Sequence, residues 1–165
     1  MKHLFTSEMR QRLVASRVIA TVTVQNVEDA KPLADALLAG GINTVEITMR
    51  TPAALQVMKI IAENYSEMLV MAGTVISSLQ VRQVQDAGAT CAVAPGVNRR
   101  VLQAATEAQF PFAPGVATPS EIEEALEFDC DILKFFPAEP IGGLKYLKSM
   151  QAPYAHLDLQ FIPLG

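Results

Sequence analysis

The sequence predicts an α/β fold of parallel strands closed as a (β/α) TIM-type barrel, and three observations carry that expectation. Short apolar runs recur along the 165 residues at intervals of roughly 19 to 27 residues, the period of a strand-plus-helix unit. Half of the residues are apolar and 18% are charged, a balance that suits strands covered on both faces. Several runs finish at polar or turn-forming positions, namely Arg50, Thr74, Pro95-Gly96, Pro114-Gly115 and Pro137. In a barrel such strand ends converge on one mouth, where the βα loops build a site. An open dinucleotide-binding sheet fits less well, because no G-x-G-x-x-G follows the first run and no glycine loop ending in Lys-Ser/Thr occurs.

The strands are expected in the runs that begin near Val18 (VIATVTV), Thr44 (TVEITM), Met68 (MLVMAGTV), Cys91 (CAVAPG), Phe110 (FPFAPGV), Ile132 (ILKFFP) and Leu159 (LQFIPL). After the first run a helix should follow Asn26, with Pro32 making it begin late or bend, and Ala39-Gly40-Gly41 should stop it. Thr51-Pro52 offers an N-cap and a first-turn proline for the next helix. Ser77-x-x-Gln80 reads as a capping box whose helix ends at Gly88. Thr118-Pro119-Ser120-Glu121 combines both devices in four residues. No linker, charge run or low-complexity stretch divides the chain, so residues 1–165 are read as a single barrel domain.

Charge and composition exclude several classes of function. A formal charge of -4 with no dense Lys/Arg run provides no electrostatic footprint for nucleic acid. The opening stretch MKHLFTSEMRQRLVASR carries charges throughout, and no later run reaches membrane-spanning length. The expectation is a cytoplasmic protein with no membrane partner. Cys91 and Cys130 are too few for a disulfide framework and lack a close His or Cys for a metal site, so both are expected to be small core residues. His3 and His156 lie outside the strand ends and are read as surface or packing residues.

Lys134 interrupts Ile-Leu-Lys-Phe-Phe-Pro, a run that should be buried on both faces. An amine there loses hydration, and an unprotonated amine is the form that attacks a carbonyl. A lysine whose stem packs while its head reaches the barrel mouth fits the local sequence equally well. Glu46 poses a related question. Period-two geometry puts Glu46, Thr48 and Arg50 on one face of their strand and Val45, Ile47 and Met49 on the other. A carboxylate facing into a barrel requires a partner, and Lys134 or Arg50 could provide it, either as a structural ion pair or as part of a site. Arg50, nearer the mouth, is suited to grip a substrate carboxylate through a bidentate fork. Gly73-Thr74 places a glycine, which lets backbone approach a ligand, before a hydroxyl that can donate a hydrogen bond.

The stretches GGINTVEITMRT, AGTV, AVAPGV, PFAPGVATPSE and LKFFPAEPIGG, in this order and spacing, resemble those of the 2-keto-3-deoxy-6-phosphogluconate (KDPG) and 4-hydroxy-2-oxoglutarate aldolase family. The likeness runs through nearly the whole chain, and K-F-F-P-A-E is its most distinctive piece. It implies a class I aldolase that reversibly cleaves KDPG to pyruvate and glyceraldehyde 3-phosphate, with cleavage of 4-hydroxy-2-oxoglutarate to pyruvate and glyoxylate as a second activity. Lys134 falls on the family's Schiff-base lysine, Glu46 on its proton-transferring glutamate, and Arg50 and Thr74, beside Gly73, on the positions that hold the pyruvate-derived part of the substrate. No cofactor or metal is implied, because an iminium withdraws electrons as a Lewis acid would. The partners implied are a phosphorylated keto acid, pyruvate and further copies of the chain in a homotrimer. Two alternatives stay open: an aldolase for the galactonate epimer, and a truncated barrel remnant without catalysis. Family members continue past the seventh strand with a Thr-Gly-Gly phosphate loop, a helix, an eighth strand and a last helix. This chain has Leu164-Gly165 at that point, so the expected barrel lacks its eighth strand and last helices.

Overall fold

Each apolar run forms a strand, and each capped segment between runs forms a helix. The computed structural model describes residues 4–165; His3 lies outside them. The strands are β1 (Ala20–Val22), β2 (Thr44–Thr48), β3 (Leu69–Gly73), β4 (Cys91–Val93), β5 (Phe112–Ala113), β6 (Gly115–Val116), β7 (Ile132–Phe135) and β8 (Gln160–Pro163). The helices are α1 (Ser7–Ser16), α2 (Ala30–Ala39), α3 (Ala54–Asn64), α4 (Ser78–Asp86), α5 (Arg99–Glu107), α6 (Pro119–Leu126) and α7 (Gly143–Gln151).

Every strand pair is parallel, in the order β1-β2-β3-β4-β5 and β6-β7-β8. The fifth run is split because Pro114 has no N–H to give to a ladder. Its carbonyl still accepts from the Lys134 backbone N–H at 2.8 Å, so β5 and β6 act as one rail joining the two ladders. Gly115 permits the close approach there: a Cβ at this position would lie 2.3 Å from the Pro95 carbonyl. The rails thus follow chain order, as in a (β/α) barrel. β1 and β8 form the two edges, and no ladder joins them among the described residues. A cleft of about 540 Å³ opens along this seam, between Ile19 and Thr21 on one side and Phe161 and Ile162 on the other.

The helix signals hold in most places. The Ser77/Gln80 capping box forms in full. Thr118 caps α6, with Pro119 in its first turn. Gly41 and Gly88 take φ of 77° and 83° after α2 and α4, the left-handed conformation that terminates a helix. Pro32 sits in the first turn of α2, which begins late, after a short 3-10 turn at Val27–Asp29; its missing N–H would have had no partner there. Thr51 is a correction. The helix starts at Ala54 without a side-chain cap, because the Thr51 hydroxyl donates instead to the Val24 carbonyl at 2.6 Å and ties the β2 end to the β1 end.

The core has two layers. Outward-facing strand residues such as Val45, Ile47, Val70 and Leu133 pack against the helices. Inward-facing Leu69, Met71, Cys91, Val93, Ala113 and Ile132 form a second cluster, closed by Phe5 and by Met9 and Leu13 of α1. Arg10 of α1 is ion-paired to the buried Asp131, one residue before β7, which fixes α1 at the N-terminal end of the strands. Both cysteines are buried as expected, and burial pushes the Cys91 and Cys130 thiols up to about 12. They stay protonated and act as small apolar residues. Among the described residues no helix is long and apolar enough to cross a membrane.

Candidate active site

The lower end of the strand interior is filled mainly by apolar side chains and α1, and its buried charged pair lies higher up, between β2 and β7. The alternation within β2 produces this arrangement. Val45 and Ile47 belong to the outer core, so Glu46 and Thr48 project to the opposite face. Glu46 registers with Thr21 of β1 and Met71 of β3, and Thr48 registers with Gly73. The Thr48 hydroxyl lies 2.9 Å from that of Thr23.

Lys134 of β7 reaches Glu46 from across the interior. Its Nζ donates to Glu46 Oε1 at 3.1 Å and Oε2 at 3.3 Å, and the two residues are only 4% and 3% exposed. Of the partners that the sequence allows for Glu46, the structure selects Lys134. Removing either member of such a pair would leave an uncompensated buried charge, at a cost of roughly 3–5 kcal/mol. The Phe136 ring lies 5.5 Å from Lys134 Nζ, within cation–π range. Phe136 was not singled out in the sequence, although it lies two residues beyond Lys134, where an extended chain returns to the same face.

Gly73 also makes room inside the protein. A Cβ there would lie 2.2 Å from Glu46 Oε1 and 2.7 Å from its Cγ. The space that a side chain would take is filled by the Glu46 carboxylate itself. Thr74, half-buried, follows with φ of 59°, a left-handed conformation that costs a non-glycine residue roughly 1–2 kcal/mol and that concentrates at functional sites. Arg50 is exposed and stands two residues past the end of β2. Because β2 and β3 are parallel neighbours, Arg50 and Thr74 emerge at the same end, above the pair. Lys134 and Glu46 are in contact, while Arg50 and Thr74 share only their strand-end position. His156 is exposed, in the turn before β8.

A buried amine touching a carboxylate, with the carboxylate lining the cleft at the β1–β8 seam, combines a nucleophile with a proton acceptor at hydrogen-bond distance. The comparisons with known proteins agree with that chemistry. Residues 9–165 match the family model for KDPG and KHG aldolase. The chain is 43% identical over 149 residues to a 2-dehydro-3-deoxy-phosphogluconate aldolase of Treponema pallidum, a match covering 90% of this chain and 70% of that one. It superposes with a TM-score of 0.88 and 36% identity on the crystal structure of the KDPG aldolase of Zymomonas mobilis ZM4 with 3-phosphoglycerate, covering 94% of this chain and 73% of that one. A KDPG aldolase of Legionella pneumophila, with pyruvate captured at low pH as a covalent carbinolamine intermediate, matches with a TM-score of 0.86 and 39% identity, covering 93% of this chain and 74% of that one.

Proposed function

The chain belongs to the KDPG and KHG aldolase family, and from that premise we propose that it is a Schiff-base aldolase in which Lys134 is the nucleophile and Glu46 the proton carrier. The observation that supports this most strongly is the buried contact of 3.1 Å between Lys134 Nζ and Glu46 Oε1. The reaction is reversible cleavage of KDPG to pyruvate and glyceraldehyde 3-phosphate. Cleavage of 4-hydroxy-2-oxoglutarate to pyruvate and glyoxylate is a second activity of the same chemistry.

Glu46 takes a proton from the Lys134 ammonium, and the freed amine adds to the substrate ketone to give a carbinolamine. Glu46 then returns a proton to the carbinolamine hydroxyl, which leaves as water and yields the iminium. The iminium draws electrons from the carbon–carbon bond to be broken while Glu46, again a carboxylate, removes the proton from the substrate hydroxyl. The aldehyde departs and an enamine of pyruvate remains, to be protonated and hydrolysed. Arg50 and Thr74 hold the keto-acid carboxylate at the mouth, the guanidinium through a two-pronged contact. The substrate we assign is the phosphorylated keto acid. The working assembly is a homotrimer in the cytoplasm.

Treating the protein with pyruvate and borohydride should leave an irreversible adduct on Lys134, because reduction traps the imine. Peptide mass mapping locates it. An adduct confined to the exposed Lys145 or Lys148 of α7 would overturn the assignment.

Gly73→Ala provides a second expected result. The added methyl meets the Glu46 carboxylate 2.2 Å away, and the carboxylate must move. A displacement of about 1 Å in a catalytic group costs roughly a hundredfold in turnover. The loss should appear in kcat, measured by coupled detection of pyruvate. Turnover within about twofold of the parent protein would show that Glu46 need not hold this position.

A further inference from the structure

Both oxygens of the Glu46 carboxylate face Lys134 Nζ, at 3.1 and 3.3 Å, but Oε2 has another neighbour. The Thr21 hydroxyl donates to it at 3.4 Å. Thr21 stands directly opposite Glu46 in the β1–β2 ladder, half-buried, on the wall of the seam between β1 and β8. On the proposed mechanism Lys134 cannot hold the carboxylate throughout a cycle. Once its nitrogen is bonded to a substrate carbon, the three N–H donors of the ammonium fall to one in the iminium. The carboxylate also changes character, from an acceptor to a carboxylic acid that carries a donor of its own. After bond cleavage the lysine nitrogen is part of an enamine, whose lone pair is conjugated and poorly placed to accept from that acid, whereas a hydroxyl can donate to the carboxylate and, by rotation, accept from the acid.

We propose that Thr21 is a positioning residue for the aldolase reaction: its hydroxyl keeps Glu46 aimed at the reacting atoms while the carboxyl group alternates between its two protonation states. The proposal rests on the reading of Glu46 as the proton carrier. A threonine in an edge strand also has a plain explanation, since β-branched residues favour strands, and the choice of variants separates the two. Thr21→Val keeps the branched shape and strand preference and removes only the hydroxyl. Thr21→Ser keeps the hydroxyl and removes the branch.

With full-chain protein, Thr21→Val is expected to lower kcat about tenfold, the scale of one hydrogen bond to a charged group. Its KM should stay within about twofold, and its borohydride-trapped pyruvate adduct should form on Lys134 more slowly by a similar factor yet reach full yield. Thr21→Ser should restore kcat to within about twofold of the parent. Should Thr21→Val not fold, Thr21→Ala against Thr21→Ser makes the same comparison. Unchanged kcat in the variant lacking the hydroxyl, or an equal loss in the serine variant, would overturn the role of Thr21 while leaving Lys134 trapping intact. Absence of any Lys134 adduct in the parent protein would overturn the aldolase assignment of Lys134, and this proposal with it.

Discussion

Replacing Lys134 with arginine is expected to abolish the pyruvate adduct and to lower aldol cleavage by at least about four orders of magnitude, out of the million-fold or more that enzymes supply. A guanidinium stays protonated and cannot serve as the attacking amine. The choice of arginine matters because Lys134 is also half of a buried ion pair, 4% exposed and matched to a carboxylate 3% exposed. Lys134→Ala would leave Glu46 buried without its partner, and a loss of activity could then reflect a loss of roughly 3–5 kcal/mol in stability. Arginine keeps a positive group that can pair with Glu46, so thermal unfolding should change far less than activity. The measurements are intact mass after borohydride reduction, the rate of pyruvate release, and the melting temperature of the same sample. Retention of a borohydride-trapped adduct in the arginine variant would place the covalent chemistry on another lysine.

Much of this fold was legible because the strands from β2 to β7 are buried along their whole length and because α4 and α6 carry explicit start signals. The repeating apolar runs located the rails, and the polar residues inside those runs, Glu46 and Lys134, marked the place where the interior holds charge. Three features were not legible, each for a physical reason. Thr51-Pro52 has the form of a helix start, but the Thr51 hydroxyl is used by the Val24 carbonyl, a contact across 27 positions of the chain that no local pattern carries. Helix α1 has no fully buried residue, so its periodicity was weak, and its place depends on the ion pair between Arg10 and Asp131. Gly73 also leaves room for the Glu46 carboxylate of the neighbouring strand, a contact that the local sequence does not display. Thr21 had a signal that went unread: alternation along Ala20–Val22 and the following Thr23 puts both hydroxyls on the face that meets Glu46 and Thr48.

Glu46→Gln should slow turnover by about two to four orders of magnitude, the usual contribution of a positioned acid or base, while leaving the site's shape close to that of the parent protein. The amide has nearly the volume of the carboxylate, so the space opposite Gly73 stays filled. One of its two terminal atoms remains an oxygen able to accept from Lys134, and the other becomes an NH₂ donor. What the amide lacks is the ability to take a proton and return it, which the mechanism requires at amine activation, at dehydration and at bond cleavage. The loss is therefore expected in kcat, with KM little changed, because contacts to the keto-acid carboxylate are assigned to Arg50 and Thr74. The Lys134 adduct should still form with pyruvate over long incubation, since water can replace the proton carrier slowly. This pattern separates two roles that the geometry alone leaves joined: a carboxylate that merely balances a buried ammonium would affect stability when changed to an amide, whereas one that moves protons would affect rate. Near-normal turnover with a lowered melting temperature would show Glu46 to be a structural partner of Lys134 and would remove it from the chemistry.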